Sequence, residues 1–194
     1  MKLVVLTAPS GAGKTTIARH LLEAFSSMRF SVSATTRVAR PGERDGVDYH
    51  FLPGEEFDQM LQRGAFVEHE EVYPGLHYGT LKTELESARA EEPILLDIDV
   101  RGALNVKNEF GDDACVVFIK APSLSVIESR LRARATETTP SMTERLRRAR
   151  EELTFEHKFD HVITNDDLDD AVAETIQWVK EFLSAPSENS LGDS

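Results

Sequence analysis

The amino-acid sequence predicts an α/β layer fold with a parallel sheet, on three observations. Four short apolar runs bounded by turn or charge signals read as buried strands: KLVVLT (2–7), PILLDID (93–99), ACVVFIK (114–120) and HVIT (161–164). Segments with apolar residues at helical spacing alternate with them. The first run ends in a glycine-rich stretch, APSGAGKTT, that leads directly into a helical pattern. Buried strands alternating with helices imply crossover connections, and so a parallel sheet covered on its faces.

Taken in order, KLVVLT is followed by the helical segment TTIARHLLEAF (15–25). Residues 31–80 depart from the pattern, with β-like runs SVSATTR, DYHFL and AFVEHEEV around one short helix, EEFDQMLQRG. A small appended β-rich subdomain is expected there. Strand 93–99 precedes helix RGALNVKNEF (101–110), and strand 114–120 precedes SLSVIESRLRAR (123–134) and TERLRRAREELTF (143–155). After strand 161–164 comes a last helix, DLDDAVAETIQWVKEFL (167–183), whose opening acids suit a helix N-terminus. The polar, small-residue tail 185–194 is expected to be disordered. No internal repeat is visible.

At 194 residues the chain suits one domain of ordinary size. Its 40% hydrophobic and 29% charged content fit a soluble globular protein, and a net charge of −12 argues against nucleic acid or an anionic membrane as a partner. Cys115 stands alone in an apolar run, so a buried thiol is expected and no disulfide framework can form within the chain. KLVVLTAPSG is too short to read as a signal peptide, and no stretch approaches a membrane span, so a cytoplasmic setting is expected. His157 and His161 are four apart, but FDHVIT reads as strand, which disfavours a zinc pair.

The stretch from Ala8 to Thr15 follows the pattern G-x-x-x-x-G-K-[ST], with alanine in the first position. Gly11 and Gly13 let backbone N–H groups turn inward, and the helix starting near Lys14 points its positive end at an anion. Lys14 can reach the outer phosphates, and the Thr15 hydroxyl can ligate Mg²⁺. Pro9 restricts residue 8 to extended geometry, which alanine adopts without strain. The loop therefore predicts a nucleoside triphosphate site and leaves ATPases, GTPases and kinases open. Asp97 sits where an aspartate could hold Mg²⁺ waters opposite Thr15. Asp99, two residues on, is expected on the same strand face and in the same crevice. Arg37 and Arg40, with Tyr49 nearby, can clamp a phosphate dianion, although the same residues fit solvated surface charge equally well.

At this point a resemblance emerges, carried by APSGAGKTT, SVSATTRVARPGERDGVDYHF, FVEHEEVYPGLHYGT, ILLDIDVRGA, RLRARATET and ITNDDLDDA. Over about residues 2–183 the chain resembles the guanylate kinases of the nucleoside monophosphate kinase group. The resemblance implies a three-layer P-loop kinase fold with a parallel sheet, a β-rich GMP-binding subdomain and a mobile helical lid. It implies one domain over 1–184, with a core of 1–30, 81–125 and 156–184, a subdomain of 31–80 and a lid region of 126–155. The implied reaction is transfer of the γ-phosphoryl of MgATP to GMP or dGMP, with Mg²⁺ as cofactor. Small-molecule substrates and a monomer or weak homo-oligomer are expected.

The resemblance further implies residue roles. ATP would lie on Ala8, Pro9, Ser10, Gly11, Ala12, Gly13, Lys14, Thr15 and Thr16, with Asn165 and Asp166 beside the adenine. Arg37, Arg40, Tyr49 and Tyr78 would hold the GMP phosphate, while Ser33, Glu68, Thr80 and Asp99 would read the guanine. Guanine offers N1–H and an exocyclic amino group as adjacent donors, which one ionised carboxylate accepts together; adenine presents a lone pair at N1 instead. Such a mismatch supports discrimination of about 10⁴-fold. From the arginine-rich lid segment the resemblance selects Arg130, Arg134 and Arg145 to close over the phosphates. Lys14, Arg37, Arg134 and Arg145 are the expected catalytic set. The chain departs from the family in Ala8, Ala133 and Ala135, where glycines are common, and His77 receives no role.

Overall fold

The computed structural model describes residues 1–89, 92–133 and 139–186. In chain order the elements are β1 (Leu3–Thr7), α1 (Lys14–Ala24), β2 (Arg29–Phe30), β3 (Ala34–Thr35), β4 (His50–Phe51), α2 (Gly54–Gln62), β5 (Phe66–Tyr73) and β6 (Leu76–Leu81). There follow α3 (Lys82–Glu86), β7 (Ile94–Asp97), α4 (Val100–Phe110), β8 (Ala114–Lys120), α5 (Leu124–Ala133), α6 (Thr139–Leu153), β9 (His161–Thr164) and α7 (Leu168–Ser184).

The strands assemble into two sheets. The larger runs β2-β7-β1-β8-β9 with every pair parallel. Its strands are apolar on both faces because helices cover both. Val4, Leu6, Leu95, Val117 and Ile119 pack with Ile17 and Leu21 of α1 and Ala171 and Val179 of α7. The alternate residues Leu3, Val5, Leu96, Val116 and Phe118 pack with Ala103 and Val106 of α4. The expected three-layer α/β architecture follows from this alternation. Cys115 lies in the first layer, and burial pushes its thiol up to about 12, so it packs as a small hydrophobe.

The smaller sheet runs β4-β3-β6-β5, with β6 antiparallel to both β3 and β5. It has a core of its own, in which Ala34, Phe57, Phe66 and Leu81 cluster. Phe57 of α2 is fully buried and stacks on Phe66 with ring centroids 4.5 Å apart.

The run PILLDID is not one strand, which corrects one expectation. β7 ends at Asp97, and Asp99 is the N-cap of α4, where its Oδ1 accepts the N–H groups of Arg101 (2.8 Å) and Gly102 (3.1 Å). Those donors have no partner within the helix, so a carboxylate two residues past the strand starts the helix early. β2, β6 and α3 also lie outside the sequence reading; β2 has 2 residues and α3 has 5, too few to show a period. α6 begins at Thr139 rather than at 143.

Phe57→Ala is expected to cost about 3–5 kcal/mol through lost burial and a cavity. Because Phe57 belongs to a separate cluster, amide exchange should accelerate first in β3, β5 and β6. Equal loss of protection in β1 and β8 would count against independent cores.

Candidate functional site

The carboxyl ends of β1 and β7 lie side by side, with Leu6 paired to Asp97. In open parallel sheets the crevice at such strand ends collects ligands, and here it opens as a cavity of about 290 Å³. One wall is the loop after β1. Gly11 and Gly13 both take positive φ, 88° and 101°, and Gly13 is the N-cap of α1. No side chain caps α1 and no acid sits in its first turn. Its leading N–H groups and the helix dipole therefore face the cavity, as anion binding requires.

The loop is braced from behind. The carbonyl of Ala12 accepts from Asn165 Nδ2 (2.7 Å) and from Arg130 (3.3 Å), and Arg130 also donates to the Asn165 carbonyl (3.0 Å). A Cβ at Gly13 would stand 2.2 Å from Asn165 Nδ2, so glycine there serves the brace as well as the turn. Arg130, Asn165 and Ala12 thus lie behind the cavity wall rather than on it. Thr16 and Asp166 are exposed and off the wall as well.

Lys14 reaches across to the neighbouring strand end, donating to the Ile98 carbonyl at 2.7 Å and pairing with Asp97. Thr15 and Asp97 both line the cavity. A hydroxyl and a carboxylate are hard oxygen donors, a set that fits an Mg²⁺ ion completed by water and phosphate oxygens. Among the described residues no group of three or more His, Cys, Asp or Glu forms a metal cage.

The opposite wall comes from the smaller sheet. Ser33, Arg40, Tyr49, Glu68 and Tyr78 line it, with Asp99 at its junction with α4. Tyr49 and Tyr78 meet edge to face at 5.8 Å, and burial, with Asp97 nearby, pushes the Tyr49 hydroxyl up to about 12. Arg37 is not on the cavity wall. It pairs with Glu43 at 2.8 Å beside the Tyr49 and Phe51 rings, and that bond raises its pKa. Glu43 also accepts the Arg40 backbone N–H at 2.7 Å, so one carboxylate organises both arginines.

Glu68 is the most perturbed acid of the site. Only 5% exposed, it accepts a hydrogen bond from the Thr80 hydroxyl at 2.7 Å. Burial pushes its pKa up to about 7; Thr80 pulls it back and Asp99 pushes it further up. Thr80 itself is fully buried behind Glu68.

Helix α6 closes the third side. Arg145 lines the cavity and reaches Ser10 Oγ at 3.5 Å. Arg134 lies outside the described residues. Sequence reasoning did not single out Arg148, Glu152 or Tyr73, which also line the cavity. Arg148 pairs with Glu152 at 2.6 Å, donates to the Val72 carbonyl of β5, and lies over the Tyr73 ring at 5.5 Å. At i,i+4 on a helix the pair reads as solvated surface charge, which hid it. Its placement three and seven positions after Arg145, on one helix face, was the available signal.

A family model described as guanylate kinase matches residues 1–185. The guanylate kinase of Salinibacter ruber is 55% identical over 183 residues, covering 94% of this chain and 97% of its own. That of Chlorobium luteolum is 52% identical over 184 residues, covering 94% and 93%. Among solved structures, a guanylate kinase from Anaplasma phagocytophilum superposes with a TM-score of 0.77 at 31% identity, over 95% of this chain and 87% of that one.

Glu68 also leaves a signature in stability. Its folded pKa lies above the ordinary value, so its contribution is full below about 4.5 and is lost as pH rises through about 7. Glu68→Gln has no such proton, so its unfolding free energy, read from urea titrations, should gain on the parent's between pH 5 and pH 8 by on the order of 3 kcal/mol at most. A difference that stays constant over that interval would place the carboxylate in water-like surroundings.

Proposed function

From the premise that this chain belongs to the guanylate kinase family, and so phosphorylates GMP at the expense of ATP, we propose that the two walls of the cavity hold the two substrates. The observation that carries the assignment is their opposition: an anion-binding loop faces a buried, hydrogen-bonded carboxylate across one cavity. ATP phosphates lie along Ala8–Thr16, with Lys14 on the outer phosphates and the adenine near Asn165 and Asp166. Arg40, Arg37, Tyr49 and Tyr78 take the GMP phosphate, and Glu68, Ser33, Thr80 and Asp99 take the guanine. The smaller sheet acts as the GMP-binding subdomain over 31–80, joined to a core of 1–30, 81–125 and 156–184, and the segment 126–155 acts as a lid.

In this reading the cations wait on protein carboxylates. Lys14 leaves Asp97, and Arg37 shares itself between Glu43 and phosphate, when the anions arrive. Glu68 accepts guanine N1–H and the exocyclic amino group as an ionised carboxylate, and Thr80 holds it in place. The acceptor phosphate oxygen is already anionic near neutral pH, so it attacks the γ-phosphorus without a general base. A new P–O bond forms, the bond to the ADP oxygen breaks, and the charge on the transferring group meets Lys14, Arg145, Arg134 and Arg130. Thr15 and Asp97 would hold Mg²⁺, which when bound would supply charge neutralisation at the phosphates. Lid closure excludes water, which would otherwise compete as acceptor.

The net charge of −12 supports small-molecule substrates without nucleic acid. No described helix is long and apolar enough to cross a membrane. We place the enzyme in the cytoplasm, with its ATP supply, as a monomer or weak homo-oligomer.

An assay of ADP release with GMP, AMP, UMP or CMP tests the reading. GMP should be the preferred acceptor, and Glu68→Gln should lose most of that preference because an amide cannot accept both donors. AMP preferred over GMP, or unchanged selectivity in the variant, would overturn the base assignment. Lys14→Ala should lower turnover by about 10²-fold or more. Near-normal turnover would remove Lys14 from the phosphoryl-transfer step.

A further inference from the structure

We propose that Gly102 is a positioning residue for guanine selectivity, keeping open the space on α4 into which the Glu68 carboxylate fits. The proposal rests on the reading above, that Glu68 receives the base. Gly102 is the third residue of helix α4, in its first turn, and is buried there. Its helical backbone conformation is one that alanine adopts with less loss of chain entropy, so local structure gives no reason for glycine. The reason for glycine is across the interface. A Cβ at this position would stand 2.4 Å from Glu68 Oε2 and 3.0 Å from Glu68 Cδ, well inside van der Waals contact.

Glu68 is therefore held from two sides. The Thr80 hydroxyl donates to Oε1 at 2.7 Å, while Oε2 lies against the bare backbone of α4 at Gly102. The same first turn is tied to Asp99, whose carboxylate accepts the Gly102 N–H at 3.1 Å and which itself lines the cavity. One turn of helix thus sets both acids at the base end of the cavity, capping with Asp99 and leaving room for Glu68. A methyl group at 102 meets the far end of a side chain, so the fold accommodates it by moving the carboxylate. The damage falls on recognition rather than on the backbone.

Steady-state kinetics on the full chain test this with Gly102→Ala, Glu68→Asp and the double variant, using GMP and AMP as acceptors. Gly102→Ala should raise the KM for GMP by about tenfold or more and cut the GMP-over-AMP preference. Its KM for ATP should stay within about twofold of the parent's, which a general loss of folding would not allow. Aspartate withdraws the carboxylate by one methylene and clears the added methyl. The double variant should then match Glu68→Asp in kinetics and melt no lower, since alanine suits the helix better. If Gly102→Ala alone fails to fold, a double variant that folds and matches Glu68→Asp still supports the clash. Gly102→Ala with parental GMP kinetics beside an impaired Glu68→Asp overturns the positioning role alone, as do effects that multiply in the double variant. Parental selectivity in Glu68→Asp overturns the guanine reading, and the inference with it.

Discussion

Parallel pairing of β1 with β7 brings the glycine-rich loop and the acids at Asp97 and Asp99 to one edge of the sheet, because strands running the same way end on the same side. Two helices start from that edge and build one wall of the cavity. α1 starts there and turns its unpaired N–H groups toward the cavity. α4 starts there and presents a capping carboxylate and a gap for Glu68. The smaller sheet needs only to stand opposite, since its own core of Ala34, Phe57, Phe66 and Leu81 holds its shape.

The second constraint is charge. Partly buried cations are costly unless paired, and three in or beside the cavity have a carboxylate on hand: Asp97 for Lys14, Glu43 for Arg37, Glu152 for Arg148. These pairs keep the cleft from carrying a bare positive field within a chain of net charge −12. They also hold the side chains in fixed positions, so an arriving anion would replace a carboxylate instead of ordering a free side chain. Glu68 is a different case, a buried acid bonded to Thr80 with Asp99 nearby, and burial first and Asp99 next raise its pKa.

Much of this was legible in the sequence, for particular reasons. Continuous apolar runs gave the strands of the large sheet, and the loop residues carry their chemistry in their spacing. Less legible was whatever depends on a partner distant in the chain. Asp99 looks like a strand residue until its bonds to Arg101 and Gly102 show it to be a helix cap. The bonds that tie Arg130 to Ala12 and Asn165 join positions more than thirty residues apart, and no local pattern announces them. Arg148 and Glu152 look like surface charge because an i,i+4 pair has the same spacing whether it faces solvent or a cavity. β2, of 2 residues, has no pattern to read and exists because β7 offers it an edge.

The brace behind the loop links three distant parts of the chain. Ala12 is joined to the end of β9 through Asn165 and to α5 through Arg130. The loop is consequently a keystone as well as a ligand cradle, and Asn165 is a pleiotropic position. A change there alters the joint between β9 and the loop, and the loop's own shape, in one step. Loop and joint are therefore one mechanical unit, and loosening either loosens both.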